Sequence, residues 1–196
     1  MCPLTNDAFF GCVALVLAAF ALLCFASTVS ASGSEEATWY RGNTHAHTTN
    51  SCGSLPPDAV AAWYHDRGYN FLCITDHNLI TAPDSVKLPD NARIDFILIP
   101  GEEITAAVHA TGMNISTVIP PTWKGSKADI IQSFSKATAK AGGVFIINHP
   151  NHQWALKTED IRHVRDVRLF ELYNGHPLMN NEGDKTHPST ETMCDP

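Results

Sequence analysis

Apolar positions along the chain fall into one long run and a series of short ones. The long run, residues 8–26 (AFFGCVALVLAAFALLCFA), carries no charge and is followed by Val29-Ser30-Ala31, a small-residue pattern of the kind signal peptidases cut. Residues 1–31 are therefore expected to be a signal peptide. Two features favour an uncleaved N-terminal anchor as the alternative: residues 1–7 lack Lys and Arg, and the run is long enough to span a bilayer. Either reading puts the rest of the chain outside the cytoplasm, periplasmic or extracellular. A polar lead-in occupies residues 32–38.

The short runs predict strands over residues 39–46, 70–75 (NFLCIT), 94–100 (IDFILIP), 114–119, 144–148 (VFIIN) and 167–172 (VRLFEL). Between them, Pro56-Pro57-Asp58 opens a helix predicted to run to Asp66 and to close at Gly68. A second helix is predicted over residues 128–141, with Ile130, Ile131 and Phe134 on one face and Gly142-Gly143 ending it. Short apolar strands alternating with helices indicate an α/β domain with a parallel sheet, assigned to residues 39–196.

Composition sharpens this in two places. With 20 Asp plus Glu against 13 Lys plus Arg, the formal charge is −7 and no basic run occurs, so a nucleic-acid partner is not expected. Removing residues 1–31 leaves Cys52, Cys73 and Cys194, too few for a disulfide framework, and a Cys52–Cys73 bridge is not expected. The unusual count is 10 His.

Placed on the predicted scaffold, the polar residues gather at strand ends. His45 and His47 end the first strand, Asp76 and His77 the second; Glu102 and Glu103 follow the third, His149 ends the fifth and Glu171 the sixth. In a parallel α/β barrel these ends share one face, where active sites are built. His45 and His47 lie on the same side of a strand, roughly 6.6 Å apart at Cα, so both rings reach one metal. Only one of Glu102 and Glu103 can point inward. His149 is followed by Pro150, which stops the strand at the ring. Each residue has a bland alternative: solvated loop histidines, Asp76 as a turn cap, exposed acids. His65, His152 and His163 lack strand-end placement and are read as surface residues, while His176 and His187 are left open. Jointly, His45, His47, His77, His109 and His149 with one carboxylate describe a multinuclear site for Zn, Mn or Fe.

His45-Ala46-His47-Thr48, Ile74-Thr75-Asp76-His77-Asn78, Gly101-Glu102-Glu103-Ile104-Thr105, Val108-His109 and Ile147-Asn148-His149-Pro150 resemble the successive motifs of the PHP (polymerase and histidinol phosphatase) superfamily. Phe170-Glu171-Leu172-Tyr173-Asn174-Gly175-His176-Pro177 resembles its carbaryl-hydrolase-type branch. The resemblance covers residues 39–192. It implies a distorted (β/α)7 TIM-like barrel with two or three divalent metals at its mouth and a small-molecule phosphoester or ester as substrate. Carried over, it gives His45, His47 and Glu103 to one metal, Glu103 with His109 and His149 to a second, and His77 to a third. Asp76, His77 and Glu103 are then the catalytic candidates, with Glu171, Asn174 and His176 binding substrate.

Two departures stand out. Ser51-Cys52-Gly53 occupies the place of the family's usual Ser-Asp-Gly; a Cys52 thiolate replacing the carboxylate on zinc is one reading, and the expected one is a weakened third metal site with Cys52 a plain loop residue. The family's final Asp-x-His motif and seventh strand are absent, so the barrel is expected to be incomplete at its C-terminal end, the front part of a longer protein. Oligomeric state is not legible.

Overall fold

A sheet of five strands, in the order β1-β2-β3-β4-β5, organises the chain. The computed structural model describes residues 37–88, 92 and 95–194; the predicted leader lies outside them. Strands are β1 (Gly42–Ala46), β2 (Phe71–Ile74), β3 (Ile97–Thr105), β4 (His109–Met113) and β5 (Val144–Ile147). Helices are α1 (Pro57–His65), α2 (Lys127–Lys140) and the short α3 (Thr158–Arg162). No described helix is long and apolar enough to cross a membrane.

Both main helices form where the sequence signals them. Pro57 sits in the first turn of α1. In α2, Ser126 Oγ accepts the Asp129 N–H while the Asp129 side chain reaches back to the Ser126 N–H, a capping box that satisfies two otherwise orphan donors. Gly142, with φ +79°, closes its far end. Each helix covers one half of the sheet. Under α1, Ala61 packs with Ala46, Leu72, Ile74 and Phe96; under α2, Ile130, Ile131 and Phe134 pack with Ala110, Phe145 and Ile147.

The sheet is mixed, which corrects the parallel expectation. β1, β2 and the first half of β3 pair in parallel; the second half of β3 turns into an antiparallel hairpin with β4, and β4 pairs antiparallel with β5. The change of partner falls at Pro100-Gly101. Pro100 has no N–H to give a ladder, and at Gly101 a Cβ would stand 2.5 Å from Cys73 Sγ and 2.8 Å from the Gly112 carbonyl. Pro100 therefore does not end the strand: β3 continues to Thr105 and carries Glu102 and Glu103 within it.

Two other expectations fail locally. Residues 114–119 are not a strand, because Asn114 takes φ +60° and ends β4, leaving Ile115 and Ile119 to pack in the apolar cluster beneath α2. Residues 167–172 form only a single parallel bridge, Ile147 to Phe170, and Leu169 and Leu172 stay exposed for want of anything to pack against. The α/β class holds. Among the described residues the sheet does not close into a barrel, and no seventh strand is present.

The sheet is nonetheless strongly curled. Four strand spacings would set β1 and β5 roughly 19 Å apart in a flat sheet, yet the His45 and His149 rings, just beyond the middle of β1 and past the end of β5, lie 5.5 Å apart. Curling brings the strand ends into one concave face. Because β4 runs opposite to the others, its first residue, His109, arrives at the same face.

Candidate metal centre

Glu103 is the middle of that face. It is fully buried, and five imidazole nitrogens surround its carboxylate: His77 Nδ1 at 2.8 Å, His149 Nε2 at 3.0 Å, His47 Nε2 and His109 Nδ1 at 3.4 Å, and His45 Nε2 at 3.5 Å. The five metal candidates named from the sequence together with Glu103 thus lie in one cluster. Asn148 Nδ2 donates to Glu103 Oε1 at 3.0 Å and is itself fixed by the Thr111 hydroxyl.

The donor set fits divalent metals. Glu103 Oε2 is buried and receives no hydrogen bond of acceptable geometry despite the nearby rings, and such an orphan is costly unless something else occupies it. Two nitrogens bound to one tetrahedral zinc at about 2.0–2.1 Å stand about 3.3 Å apart. His45 Nε2 and His47 Nε2 are 3.0 Å apart, and each lies within 3.5 Å of a Glu103 oxygen. Among the described residues, four trios have donor atoms within 4.8 Å of one another: His45–His47–Glu103, His45–His149–Glu171, His109–His149–His152 and His47–Cys52–His77.

The electrostatics follow from this crowding. Burial alone would raise Glu103, but the imidazoles of His109, His149, His45 and His77 override it and hold the carboxylate far below its usual range. Burial also works against a charged His45, yet Glu103 and Glu171 reverse the balance and raise it to about 10. For His47, burial together with the neighbouring His45 and His77 outweighs Glu103 and lowers it to about 4. In the metal-free cluster the two carboxylates therefore favour the charged form of His45.

The remaining sequence candidates are placed around this centre. Glu171 lies behind His45, accepting its Nδ1–H at 2.9 Å and the His149 backbone N–H at 2.8 Å. That second contact holds His149 at φ +22°, an uncommon backbone conformation for a residue before proline. Asn174 Nδ2 donates to Glu171 at 3.0 Å. His176 is exposed and accepts the Leu178 N–H. Asp76 stands one hydroxyl behind His47, whose Nδ1 lies 3.3 Å from Ser51 Oγ; it accepts hydrogen bonds from Thr48 N and Oγ1 (2.8 Å each) and from the Ser51 and Thr81 hydroxyls (2.6 Å each).

Three residues were under-read from the sequence. His152, taken as a surface residue, has its ring 5.1 Å from His149 and 6.1 Å from His109; the tight turn that brings it there gives no periodicity to read. Asn148 gives no signal beyond its place before His149. Cys52 lies with Sγ 3.2 Å from His77 Nε2. His65 and His187 instead contact Asp66 and Asp184. Cys52 and Cys73 are both free. Beside the cluster opens a cleft of about 260 Å³, lined by Ala106, Val108, His109, His149, His152 and Leu156 among others.

No protein-family model and no curated protein matches the chain. A solved two-domain protein from Bacteroides vulgatus, containing a predicted PHP-like metal-dependent phosphoesterase, is similar to 59% of this chain at 22% identity with a TM-score of 0.44. The chain spans 36% of that protein.

Proposed function

We propose that this chain is an exported metal-dependent hydrolase of phosphoesters, working at a di- or trinuclear centre of Zn, Mn or Fe. The observation that carries the reading is five imidazoles converging on one buried carboxylate with an orphan oxygen, beside a cleft that admits a small molecule. The motif resemblance to the PHP superfamily points the same way, and the apolar run at residues 8–26 supports export.

Divalent ions bound here would lower the pKa of a water and neutralise charge developing on a phosphoryl oxygen. The chain's own residues do the rest. His45, His47, His109 and His149 would supply nitrogen donors to these ions, and Glu103 would supply oxygen donors in their midst. Glu171 fixes the tautomer and orientation of His45 through its Nδ1–H, the outer-layer support that metal-bound histidines usually have. His152 and His109 line the cleft, where they face an entering anion.

The test is turnover of a chromogenic aryl phosphodiester by the full chain. Hydrolysis that is abolished by chelation and restored by Zn or Mn supports the reading. Tight metal binding without turnover of any phosphoester would make the chain a metal-binding module instead.

A further inference from the structure

The loop after β1 is built to place a thiol, and nothing in the Glu103 cluster requires it to do so. Gly53 N–H and Ser51 N–H both donate to the Thr48 carbonyl, at 2.8 and 3.0 Å, folding residues 48–53 back on themselves. At Gly53 any side chain is excluded, since a Cβ would stand 2.5 Å from the His47 carbonyl oxygen and 2.7 Å from Thr48 Cα. Ser51 Oγ is pinned to Asp76 at 2.6 Å. Between these two fixed residues Cys52 has little freedom, and its Sγ is held 3.2 Å from His77 Nε2.

His77 is oriented to match. Its Nδ1 lies 2.6 Å from the Thr105 hydroxyl, which donates its own proton to the Glu103 carbonyl, so the ring proton belongs on Nδ1 and the Nε2 lone pair is free to face Cys52. An acceptor behind one ring nitrogen with a ligand position in front of the other is the usual support of a metal-bound histidine. The His47 ring lies 4.5 Å from that of His77, and the three donor atoms are within 4.8 Å of one another. The trio is partly open to solvent, which leaves room for a water as fourth ligand.

We propose that Cys52, His77 and His47 hold the third ion that the family resemblance implies, with the Cys52 thiolate in place of the usual carboxylate, which turns this position toward a soft or borderline divalent cation, zinc foremost. One sulfur and two imidazoles in tetrahedral reach suit zinc or cadmium, and disfavour manganese and magnesium, which take oxygen ligands. Binding exchanges the thiol proton, released to solvent, for the ion. His47 belongs to both this trio and the His45–His47–Glu103 trio, so filling one position constrains the other. The proposal rests on the metal-binding reading above but adds a ligand of a different chemical class.

Cobalt(II) titration of the full chain tests it, because sulfur-to-cobalt charge transfer absorbs in the near ultraviolet whereas imidazole and carboxylate ligands give only visible bands. The wild type is expected to show the near-ultraviolet band, Cys52→Ser to lose it with the visible bands retained, and Cys194→Ser to keep it. Zinc should bind this position at least about 10–100-fold more weakly in Cys52→Ser, the loss that even outer-layer substitutions cause at metal sites. Cys52→Asp should shift its preference toward manganese. Visible bands without charge transfer in the wild type would overturn the thiolate site and leave the Glu103 reading standing. A charge-transfer band that survives Cys52→Ser would also overturn it. Absence of any cobalt absorption would overturn both.

Discussion

Two buried carboxylates stand a few residues from the same strand ends and are solvated in opposite ways. Around Asp76 the neighbours are donors that need nothing further: three hydroxyls and one backbone N–H fill both oxygens. Around Glu103 the neighbours are five imidazoles whose lone pairs and protons compete, with one oxygen left unbonded. A carboxylate wrapped in hydroxyls ties two loops together, one at Thr48 and Ser51 and the other at Thr81. A carboxylate wrapped in imidazoles has the donors to hold a cation. The difference separates an anchor from a centre, although Asp76 and Glu103 read alike in the sequence.

The largest effect expected from this contrast is on folding. Burial pushes the Asp76 carboxyl up, but its hydrogen bonds to Ser51, Thr81 and Thr48 win and hold it below the ordinary range. Asp76→Asn discards a charged acceptor of four bonds and should cost about 3 kcal/mol or more in urea unfolding. Glu103→Gln should also lower stability, since it takes from the charged His45 one of its two carboxylates, but it alone should lose the stabilisation that added zinc gives. Equal stabilisation of the two variants by zinc would break the comparison. Next comes Thr81→Val, which removes one donor from Asp76 and should cost about 1.5–3 kcal/mol. Thr111→Val, whose hydroxyl only steadies Asn148 against Glu103, should instead weaken metal binding, read by calorimetry.

A third carboxylate sharpens the same point. Glu102, next to Glu103 but on the opposite face of β3, is buried with only the Ile119 N–H on Oε1, and burial raises it to about 7 from a model-peptide value of 4.5. Folded protein thus holds this proton more tightly than the unfolded chain, so stability should fall as pH rises from about 4.5 through 7. Glu102→Gln should flatten that slope by roughly 1–3 kcal/mol. Chemical unfolding of both proteins across this range is the check, and parallel slopes would refute the assignment.

Much of this site was legible because metal chemistry dictates residue type. His45 and His47 on one strand face, His77 and His149 at strand ends, and Glu103 as the inward member of an adjacent pair all follow from periodicity and strand termini. What was not legible depends on pairing and turns. The strand at residues 109–113 reads HATGM, poor in β-formers, and exists because β3 offers it a partner. His152 is brought in by a turn, and the burial of Asp76 among hydroxyls leaves no mark on its own sequence neighbourhood. The apolar run at residues 167–172 looked like a strand and stayed largely exposed, since pattern cannot supply the surface on which a strand must pack.

A smaller, proton-scale effect distinguishes the two carboxylates in solution. His45, raised to about 10, is an imidazolium at neutral pH in metal-free protein and must lose its proton to bind an ion. Metal binding should therefore release about one proton from it near pH 7.5, and affinity should climb with pH toward 10. Calorimetry of Cys52→Ser, which has no thiol proton to release, in two buffers of different ionisation enthalpy reads that proton directly. A buffer-independent heat would contradict the charge state assigned to His45.

The central claim is that Glu103 is the hub of a metal centre and Asp76 is not. Equilibrium dialysis of the full chain against zinc, with bound metal counted by elemental analysis, tests it most directly. The account predicts bound zinc in the wild type, retained zinc in folded Asp76→Asn, and affinity lowered at least about 10–100-fold in Glu103→Gln. Zinc binding to Glu103→Gln indistinguishable from the wild type, or a wild type that binds none, would contradict it.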